Sequence, residues 1–493
     1  MRRILAVAAI TAVLLGTGPG ALAYDSGNTD GTQPVLSLDD NGTCAIREGN
    51  TVYCWGINTY GQLGRGSTDP STAVLPVATP YNFTARSISA NSFVTCAVML
   101  SGGVDCWGYG GLSSIGNGSP GSVAVPTPVT GLTNVTGVSV GTSGSVCATK
   151  QDGTLWCWGS GHGNVLSAAS PANSAVPVKR DGVSGVLDVA VGTNFACALT
   201  VAHKVVCWGD NGFGQLGDGS QNDNPTPTAV PGISDAQAIS AALYTTCAIR
   251  TGGTVWCWGS NDSGSLGIQS TVEVSPSPAQ VRGIAGATSI AVSGYGACAL
   301  ISGGAVKCWG SGNFGRLGDE QLVPQYSPIT ATSSLAKTTA IASSLGHSCE
   351  IAGGRVWCWG QNTNGKLGDG TTNAALVGTG PGNAFGFAAD PTKVPVVNSA
   401  PGKPVAKSSV KGKATLTWSA PAANGTSAPT DYVVQYRLKG ASAWSTFKDA
   451  VSATRSATVT GLKSAKYYEF RVQAKNWAGA GAVSATATAI KVK

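Results

Sequence analysis

The sequence predicts an all-β protein of repeated architecture, and three observations carry that prediction. Glycine accounts for 69 of the 493 residues and charged residues for only 11%, which argues against long helices and coiled coils. Hydrophobic residues make up 42% and 13 tryptophans are present, which argues against disorder. Fourteen cysteines fall into seven pairs, each closing on Cys-Trp-Gly, and this triplet recurs about every 50 residues, as in a repeat array.

Residues 1–23 are expected to be a secretory signal peptide and not part of the fold. Arg2 and Arg3 form a basic start, residues 4–15 form an apolar core, and Ala21-Leu22-Ala23 matches a cleavage site. The apolar core is shorter than the roughly 20 residues that a membrane-spanning helix needs. We therefore expect an exported protein, secreted and in some settings associated with the cell wall, with no membrane span.

Each repeat unit begins with the pattern of a β-hairpin. An apolar strand starts at the first cysteine, a glycine-containing turn follows, and a second strand ends in Cys-Trp-Gly, as in residues 247–259. The pattern Asn-x-x-Gly-x-Leu-Gly comes next at 58–64, 211–217 and 362–368, and one residue shorter at 313–318. A Pro-Val segment and a further strand follow. Each unit therefore carries enough strand for one four-stranded blade.

The cysteine spacing predicts one disulfide bond within each hairpin. Residues that flank a hairpin turn at this spacing can lie opposite each other across the strand pair, and export would favour their oxidation. A structural zinc site needs four clustered ligands, whereas each unit offers two thiols and no paired histidine. The predicted pairs are Cys44–Cys54, Cys96–Cys106, Cys147–Cys157, Cys197–Cys207, Cys247–Cys257, Cys298–Cys308 and Cys349–Cys358.

The repeated motif resembles the regulator of chromosome condensation repeat. The matching pattern is Cys-Ala-Leu…Gly-x-Val-x-Cys-Trp-Gly-x-Asn-x-x-Gly-x-Leu-Gly-x-Gly, seven times over about residues 31–394. The resemblance implies a seven-bladed β-propeller, which we place at residues 24–394. The last unit lacks a following strand, whereas the first is preceded by one around residues 34–38. We expect these two chain segments to join and close the ring.

Residues 395–493 resemble a fibronectin type III domain, an immunoglobulin-like β-sandwich. The matching positions include Leu416-Thr417-Trp418, residues 432–437 and residues 470–476. Leu462 and Tyr468 are placed as the tyrosine corner of such sandwiches. This segment has a net charge of +11, against −6 for residues 24–394. Such a basic sandwich is suited to anchor the protein on an anionic polymer of the cell wall, and its alternative role is a solvated spacer.

The sequence offers no candidate catalytic or cofactor-binding group that stands out. The three histidines, His162, His203 and His347, lie in different units, and no Ser-His-Asp order, zinc motif or phosphate-binding loop accompanies them. Paired carboxylates that meet only in space stay open. Recurring residues indicate scaffold, so function is expected where the units differ. Candidate partner-binding residues are the loop aromatics Tyr60, Tyr109, Phe213 and Phe314. Tyr60, Phe213 and Phe314 recur in register, so packing is their alternative role.

These features favour a secreted, non-enzymatic, monomeric binding protein of bacterial type, without cofactor or metal. Its partner would be a protein or a cell-wall glycan, and no nucleic acid is expected. Three other functions stay open on resemblance alone. The first is an inhibitor of a secreted enzyme, since secreted β-lactamase-inhibiting propellers share these repeats. The second is an accessory role in extracellular polysaccharide degradation. The third is guanine-nucleotide exchange, the activity of the repeat family's namesake, against which export argues.

Overall fold

The computed structural model of the chain describes residues 36–47, 50–69, 73–78, 83–91, 93–168, 172–331, 338–379, 399–422, 431–447, 454–476 and 479–493. The predicted signal peptide at 1–23 and the predicted domain boundaries at 23/24 and 394/395 lie outside these residues. Among the described residues, no helix is long and apolar enough to cross a membrane.

Up to residue 379, the described residues form seven four-stranded antiparallel sheets, one for each cysteine pair. Each sheet consists of consecutive strands, and its first strand contacts the first strand of the next sheet. Strands of the first four sheets are Leu36–Leu38 (β1), Gly42–Ile46 (β2), Val52–Gly56 (β3), Ala73–Ala78 (β4), Ala85–Asn91 (β5), Val94–Met99 (β6), Val104–Gly108 (β7), Val123–Pro128 (β8), Val135–Val140 (β9), Ser145–Lys150 (β10), Leu155–Gly159 (β11), Ser174–Lys179 (β12), Val186–Val191 (β13), Phe195–Thr200 (β14), Val205–Gly209 (β15) and Asn224–Ala229 (β16).

The remaining three sheets continue the same order, and short 3-10 turns follow the third strand of four sheets. The strands are Ala236–Ala242 (β17), Thr245–Arg250 (β18), Thr254–Ser260 (β19), Val274–Gln280 (β20), Ala287–Val292 (β21), Gly296–Ile301 (β22), Val306–Gly310 (β23), Gln325–Thr330 (β24), Thr338–Ser343 (β25), His347–Ala352 (β26), Arg355–Gly360 (β27) and Ala375–Thr379 (β28). The 3-10 turns are His162–Asn164, Asp262–Gly264, Asn313–Gly315 and Thr363–Gly365.

The ring closes where the first and last blades pack together, not by the strand exchange expected from the sequence. Strand β1 pairs with β2 of its own blade, with Leu36 opposite Ala45. The last blade already has its own first strand, β25, which contacts β1. The expectation was wrong because the strand before each hairpin connects to that hairpin through a short turn and pairs with it locally. Each blade is therefore one contiguous segment.

The seven disulfide bonds join the predicted partners within each hairpin. In every bond the two cysteines are direct cross-strand neighbours, with Cα atoms 4.1 Å apart. No cysteine is free. Hairpin closure thus constrains the two middle strands of each blade.

The tryptophan of each Cys-Trp-Gly is fully buried between blades, as predicted. Its indole nitrogen donates a hydrogen bond to a backbone carbonyl of the preceding blade, at 2.8–3.1 Å. The bond from Trp55 reaches Lys366 in the last blade at 2.8 Å, so the series runs around the whole ring. Buried polar groups need such partners, and these bonds fix the packing angle of each blade as well as filling space. The seven tryptophans are Trp55, Trp107, Trp158, Trp208, Trp258, Trp309 and Trp359.

Residues 399–493 form the predicted sandwich of two antiparallel sheets around a separate core that includes Leu416, Val434 and Phe470. The hydroxyl of Tyr468 accepts a hydrogen bond from the Lys463 backbone amide at 3.0 Å, which confirms the tyrosine corner. The strands are Val405–Lys407 (β29), Ala414–Thr417 (β30), Asp431–Leu438 (β31), Ser445–Thr446 (β32), Ser456–Val459 (β33), Tyr467–Asn476 (β34), Gly479–Val483 (β35) and Ile490–Lys491 (β36).

Candidate functional site

One face of the propeller carries all four predicted aromatic residues. Because neighbouring strands are antiparallel, the turn between the first and second strands of a blade and the loop after its third strand lie on the same face. Tyr60, Tyr109, Phe213 and Phe314 all lie in loops after a third strand. Aromatic residues from the first-to-second-strand turns join them on this face. We call it the aromatic face, defined by Tyr60, Phe93, Tyr109, Phe213, Tyr244, Tyr295 and Phe314.

In the first two blades, three of these rings form a contiguous cluster. The Tyr60 ring meets Phe93 at a centroid distance of 5.2 Å and Tyr109 at 4.9 Å, both edge to face. Tyr60 belongs to the first blade and its two neighbours to the second, so the cluster spans a blade junction. Tyr60 is 36% exposed, while Tyr109 is partly buried against it. Packing therefore holds the rings in place and leaves one edge open to solvent.

A second aromatic pair spans the junction between the fourth and fifth blades. The rings of Phe213 and Tyr244 stack at 4.5 Å, and Phe213 remains 42% exposed. Phe314 occupies the equivalent position two blades further on and is 49% exposed. Its φ of +62° is unusual for a bulky residue, and such strain persists only where the surrounding loop enforces it.

An asparagine three residues after the buried tryptophan builds these loops in four blades. The Asn211 side chain accepts a hydrogen bond from the Leu216 amide at 2.9 Å and donates one to the Ser220 carbonyl at 3.1 Å. Asn58, Asn261 and Asn362 make the same two types of bond. This recurring asparagine is scaffold. In the sixth blade Gly312 takes its place, so the shorter motif read from Asn313 is out of register.

The sixth and seventh blades differ from the others at the position before Leu-Gly. Other blades have Gln, Ser or Val there, whereas these two have Arg316 and Lys366, both almost fully buried. The Arg316 guanidinium donates to Ser311 Oγ at 2.6 Å and to the Leu345 carbonyl, and it lies 5.6 Å from the centre of the Tyr295 ring. Burial lowers the pKa of Arg316 to about 10, against the opposing influence of Tyr295 and Asp262.

Arg316 lines a cavity of about 540 Å³ that opens on the aromatic face. Two carboxylates from distant parts of the sequence, Asp40 and Asp262, line it as well, together with Tyr295 and Phe314. Burial, and then repulsion from Asp39, raises the pKa of Asp40 to about 6. The cavity thus combines a buried cation, two acids and exposed aromatic edges. Sequence reasoning missed it, although comparing the repeats column by column would have marked Arg316 as a departure.

None of the three histidines lines this cavity. His347 is fully buried at the closure of the ring, where its ring nitrogens lie 2.8 Å from Thr43 Oγ1 and 2.8 Å from Ser344 Oγ. His203 lies in a hairpin turn on the opposite face, and His162 opens a 3-10 turn. Among the described residues, no group of three or more His, Cys, Asp or Glu side chains is placed to hold a metal ion.

A separate narrow cavity of about 30 Å³ runs along the propeller axis between the first strands. Asp188 of β13 lines it, and burial raises the pKa of this carboxyl to about 7. The Val189 amide donates to Asp188 Oδ1 at 2.9 Å. The cavity has room for a few water molecules.

Family models match both parts of the chain. The model described as "Fibronectin type III domain" matches residues 399–490. Two models of the "Regulator of chromosome condensation (RCC1) repeat" match residues 40–62, 186–215, 237–265, 203–249, 252–300 and 353–409. The chain carries RCC1 repeats and a fibronectin type III domain.

Curated relatives share the RCC1 repeats over part of their length. Human "E3 ubiquitin-protein ligase HERC2" is 29% identical over 189 residues, 37% of this chain and 4% of that protein. The Arabidopsis thaliana "RCC1 domain-containing protein RUG3, mitochondrial" is 30% identical over 155 residues, 29% of this chain and 35% of that protein. The chain thus spans about a third or less of these relatives.

Solved structures support the RCC1-like fold. Yeast Prp20p, whose structure was described with its binding to Gsp1p and histones, aligns with a TM-score of 0.60 at 18% identity over 69% of this chain and 86% of that one. Human WBSCR16 aligns with a TM-score of 0.59 at 21% identity over 67% of this chain and 94% of that one. At these identities the likeness shows the fold alone.

Proposed function

We propose that this chain is an exported, non-catalytic binding protein that acts as a monomer. Its RCC1-repeat propeller recognises a protein through the aromatic face, and its fibronectin type III domain holds it on an anionic surface outside the cell. The enzyme-inhibitor hypothesis is one form of this proposal, in which the recognised protein is a secreted enzyme. Seven disulfide bonds in a chain with a predicted signal peptide support export.

The observation that carries the proposal is the distribution of half-exposed aromatic rings on one face. Rings from five of the seven blades lie there, and those of the first and second and of the fourth and fifth blades pair across blade junctions. Protein interfaces are enriched in Tyr, Phe and Arg, and aromatic anchors give most binding energy when the scaffold pre-organises them. Exposed apolar residues on the surrounding loops, Val272, Leu322 and Val323, enlarge the apolar area of this face. Such a spread-out surface suits a protein better than a single sugar ring.

The test compares two matched double variants of the full chain. Phe213→Ser with Phe314→Ser alters the aromatic face, and Leu100→Ser with Val201→Ser alters exposed apolar residues in hairpin turns of the opposite face. Extracellular proteins of the source organism are passed over the immobilised wild-type chain, and the captured protein is identified and purified. Its Kd is expected to rise at least tenfold for the aromatic-face variant and less than twofold for the other.

Equal weakening by both variants, or unchanged binding to the aromatic-face variant, would overturn the choice of face.

Export is tested separately by fractionating the cells and sequencing the amino terminus. A mature chain beginning at Tyr24 in the medium or wall fraction is expected. A chain that keeps Met1 inside the cell would disprove export, whatever the propeller binds.

A further inference from the structure

Three loops meet at one end of the fibronectin type III sandwich. The Gly412 amide donates to the Lys493 carbonyl at 2.9 Å, and the Leu462 amide donates to the Gly412 carbonyl at 3.0 Å. The Ala465 amide donates to the Val492 carbonyl at 2.8 Å. These backbone bonds bring together segments that are far apart in the sequence. The relative positions of their side chains are therefore set by the fold.

The segments that meet there carry a series of exposed lysines. The series continues from the end onto the neighbouring edge, because the Lys493 amide is bonded to Ser408 Oγ at 3.0 Å and Ser408 follows directly after β29. At the far end of this edge, Lys403 Nζ lies 3.5 Å from Thr488 Oγ1. We call the series the lysine strip, comprising Lys403, Lys407, Lys411, Lys413, Lys463, Lys466, Lys491 and Lys493, all exposed.

The one acidic side chain of the domain that the structure describes does not offset this charge, and the backbone places the other described acidic residue far from it. Glu469 is paired with Arg437, with Oε2 and Nε 2.8 Å apart. Asp431 begins β31, whereas the lysine end of the domain adjoins the other end of that strand, where the Lys439 amide donates to the Tyr467 carbonyl. Seven residues of extended strand put roughly 23 Å between them, more than two Debye lengths at physiological ionic strength.

The cations of the strip are all lysines. Arg437 and Arg471 are both engaged within the domain, where they share the ring of Trp444, with guanidinium carbons 4.4 and 4.3 Å from its centroid. The Arg471 Nε also donates to Gln435 at 2.7 Å. The strip is made of lysine, a compact, strongly hydrated point charge that binds phosphate oxygens without the planar fork by which arginine pairs with either carboxylate or phosphate.

We propose that the lysine strip binds a linear polymer of phosphodiester-linked units outside the cell. The strip turns from an edge onto an end, and Lys403 and Lys407 alone span roughly 13 Å along the strand. A flexible chain can follow this path and place successive phosphates beside successive lysines, whereas a flat lipid surface would contact one side. The inference rests on the proposed attachment to an anionic surface and names its chemistry and its site.

The experiment measures binding of the purified full chain to poly(glycerol phosphate) at low and at physiological salt. The strip variant carries Lys411→Gln, Lys463→Gln and Lys493→Gln. The control variant loses the same charge from the propeller through Lys179→Gln, Lys204→Gln and Arg355→Gln, all exposed. We expect at least a tenfold weaker affinity for the strip variant, less than a threefold change for the control, and a steep fall in wild-type affinity with salt. Circular dichroism checks that both variants fold.

Equal losses in the two variants would reduce the effect to net charge and overturn the strip. Two further probes test the polymer's identity: polygalacturonate of matched charge density, and vesicles of phosphatidylcholine and phosphatidylglycerol. Stronger strip-dependent binding to either of these would overturn the phosphodiester polymer as the occupant. Because the purified chain is used, none of these outcomes bears on partner binding by the aromatic face.

Discussion

At the scale of single residues, the recurring tryptophan is the main link between blades. Cys-Trp-Gly could be recognised in the sequence as packing, but the hydrogen bond from the indole nitrogen to the preceding blade could not. Its acceptor is a backbone carbonyl 43 to 45 residues away in six blades and 311 residues away in the first. Departures from the repeat are equally informative. Arg316 and Lys366 stand at the acceptor position itself, where the other blades have Gln, Ser or Val, and they mark the sector where the cavity lies.

Two tryptophans in the last blade allow the contribution of the indole hydrogen bond to stability to be measured apart from that of the aromatic side chain. Trp359 Nε1 donates to the Arg316 carbonyl at 2.8 Å, whereas the buried Nε1 of Trp357 has no partner among the described residues. We expect Trp359→Phe to lower the free energy of unfolding by about 1 kcal/mol more than Trp357→Phe, because it removes one of the two hydrogen bonds to a buried carbonyl, and only the bond from Ser348 Oγ at 3.0 Å is left. Guanidinium titrations of both variants measure the difference. Equal costs would show that the bond adds nothing to stability.

At the scale of elements, the sequence predicts the hairpins, the disulfide bonds and the tyrosine corner well, since each depends on residues close together in the chain. Its prediction of ring closure was wrong, because a repeating pattern does not show where one blade ends and the next begins. The strand before a hairpin could belong to either blade. The lysine strip was visible only as net charge, since its lysines are scattered along the sequence and meet through backbone bonds between loops.

The packing also explains why the Asn-x-x-Gly-x-Leu-Gly motif ends in glycine, which the sequence alone does not. Alanine substitutions at Gly217 and Gly232 test whether the motif glycine is required by packing against the next blade. Both have positive φ, 70° and 77°. A Cβ on Gly217 would lie 2.6 Å from the indole nitrogen of Trp258 in the next blade, whereas a Cβ on Gly232 would meet open space. Gly232→Ala is expected to cost roughly 1 kcal/mol from backbone strain alone. Gly217→Ala should cost at least 2 kcal/mol more, since the blade junction must move. Thermal unfolding of the two variants gives the comparison, and equal costs would remove the junction argument.

At the scale of the whole molecule, one junction differs in kind from the other six. Six pairs of neighbouring blades are consecutive in the chain, but the first and last blades meet without a covalent connection. A polar network occupies this junction. Thr43 Oγ1 donates to the Lys366 carbonyl at 2.9 Å and contacts His347, and Lys366 Nζ donates to the Asp40 carbonyl. Because the chain does not connect these two blades directly, the hydrogen bonds fix how the first blade packs against the last.

The network makes closure sensitive to acid through His347. Burial, and then repulsion from Lys366, holds the pKa of His347 well below its usual range. The unfolded chain binds a proton at this histidine below pH 6.5 or so, whereas the folded chain does not. His347 therefore lowers stability as the pH falls, by up to about 1.4 kcal/mol per pH unit. Buried Asp39 and Asp40 have raised pKa values and act in the opposite direction.

Comparing wild type with His347→Asn isolates this contribution, because Asp39, Asp40 and Lys366 are present in both proteins. At pH 7.5 the variant should be less stable, since Thr43 and Ser344 lose a buried partner. The difference should shrink between pH 6.5 and 5 as the neutral imidazole becomes costly to keep in the wild type. Guanidinium titrations followed by tryptophan fluorescence measure both curves, and His203→Asn controls for the loss of an exposed imidazole. If the free energy of unfolding changes with pH in the same way for wild type and His347→Asn, protonation of His347 has no effect on the stability of the junction.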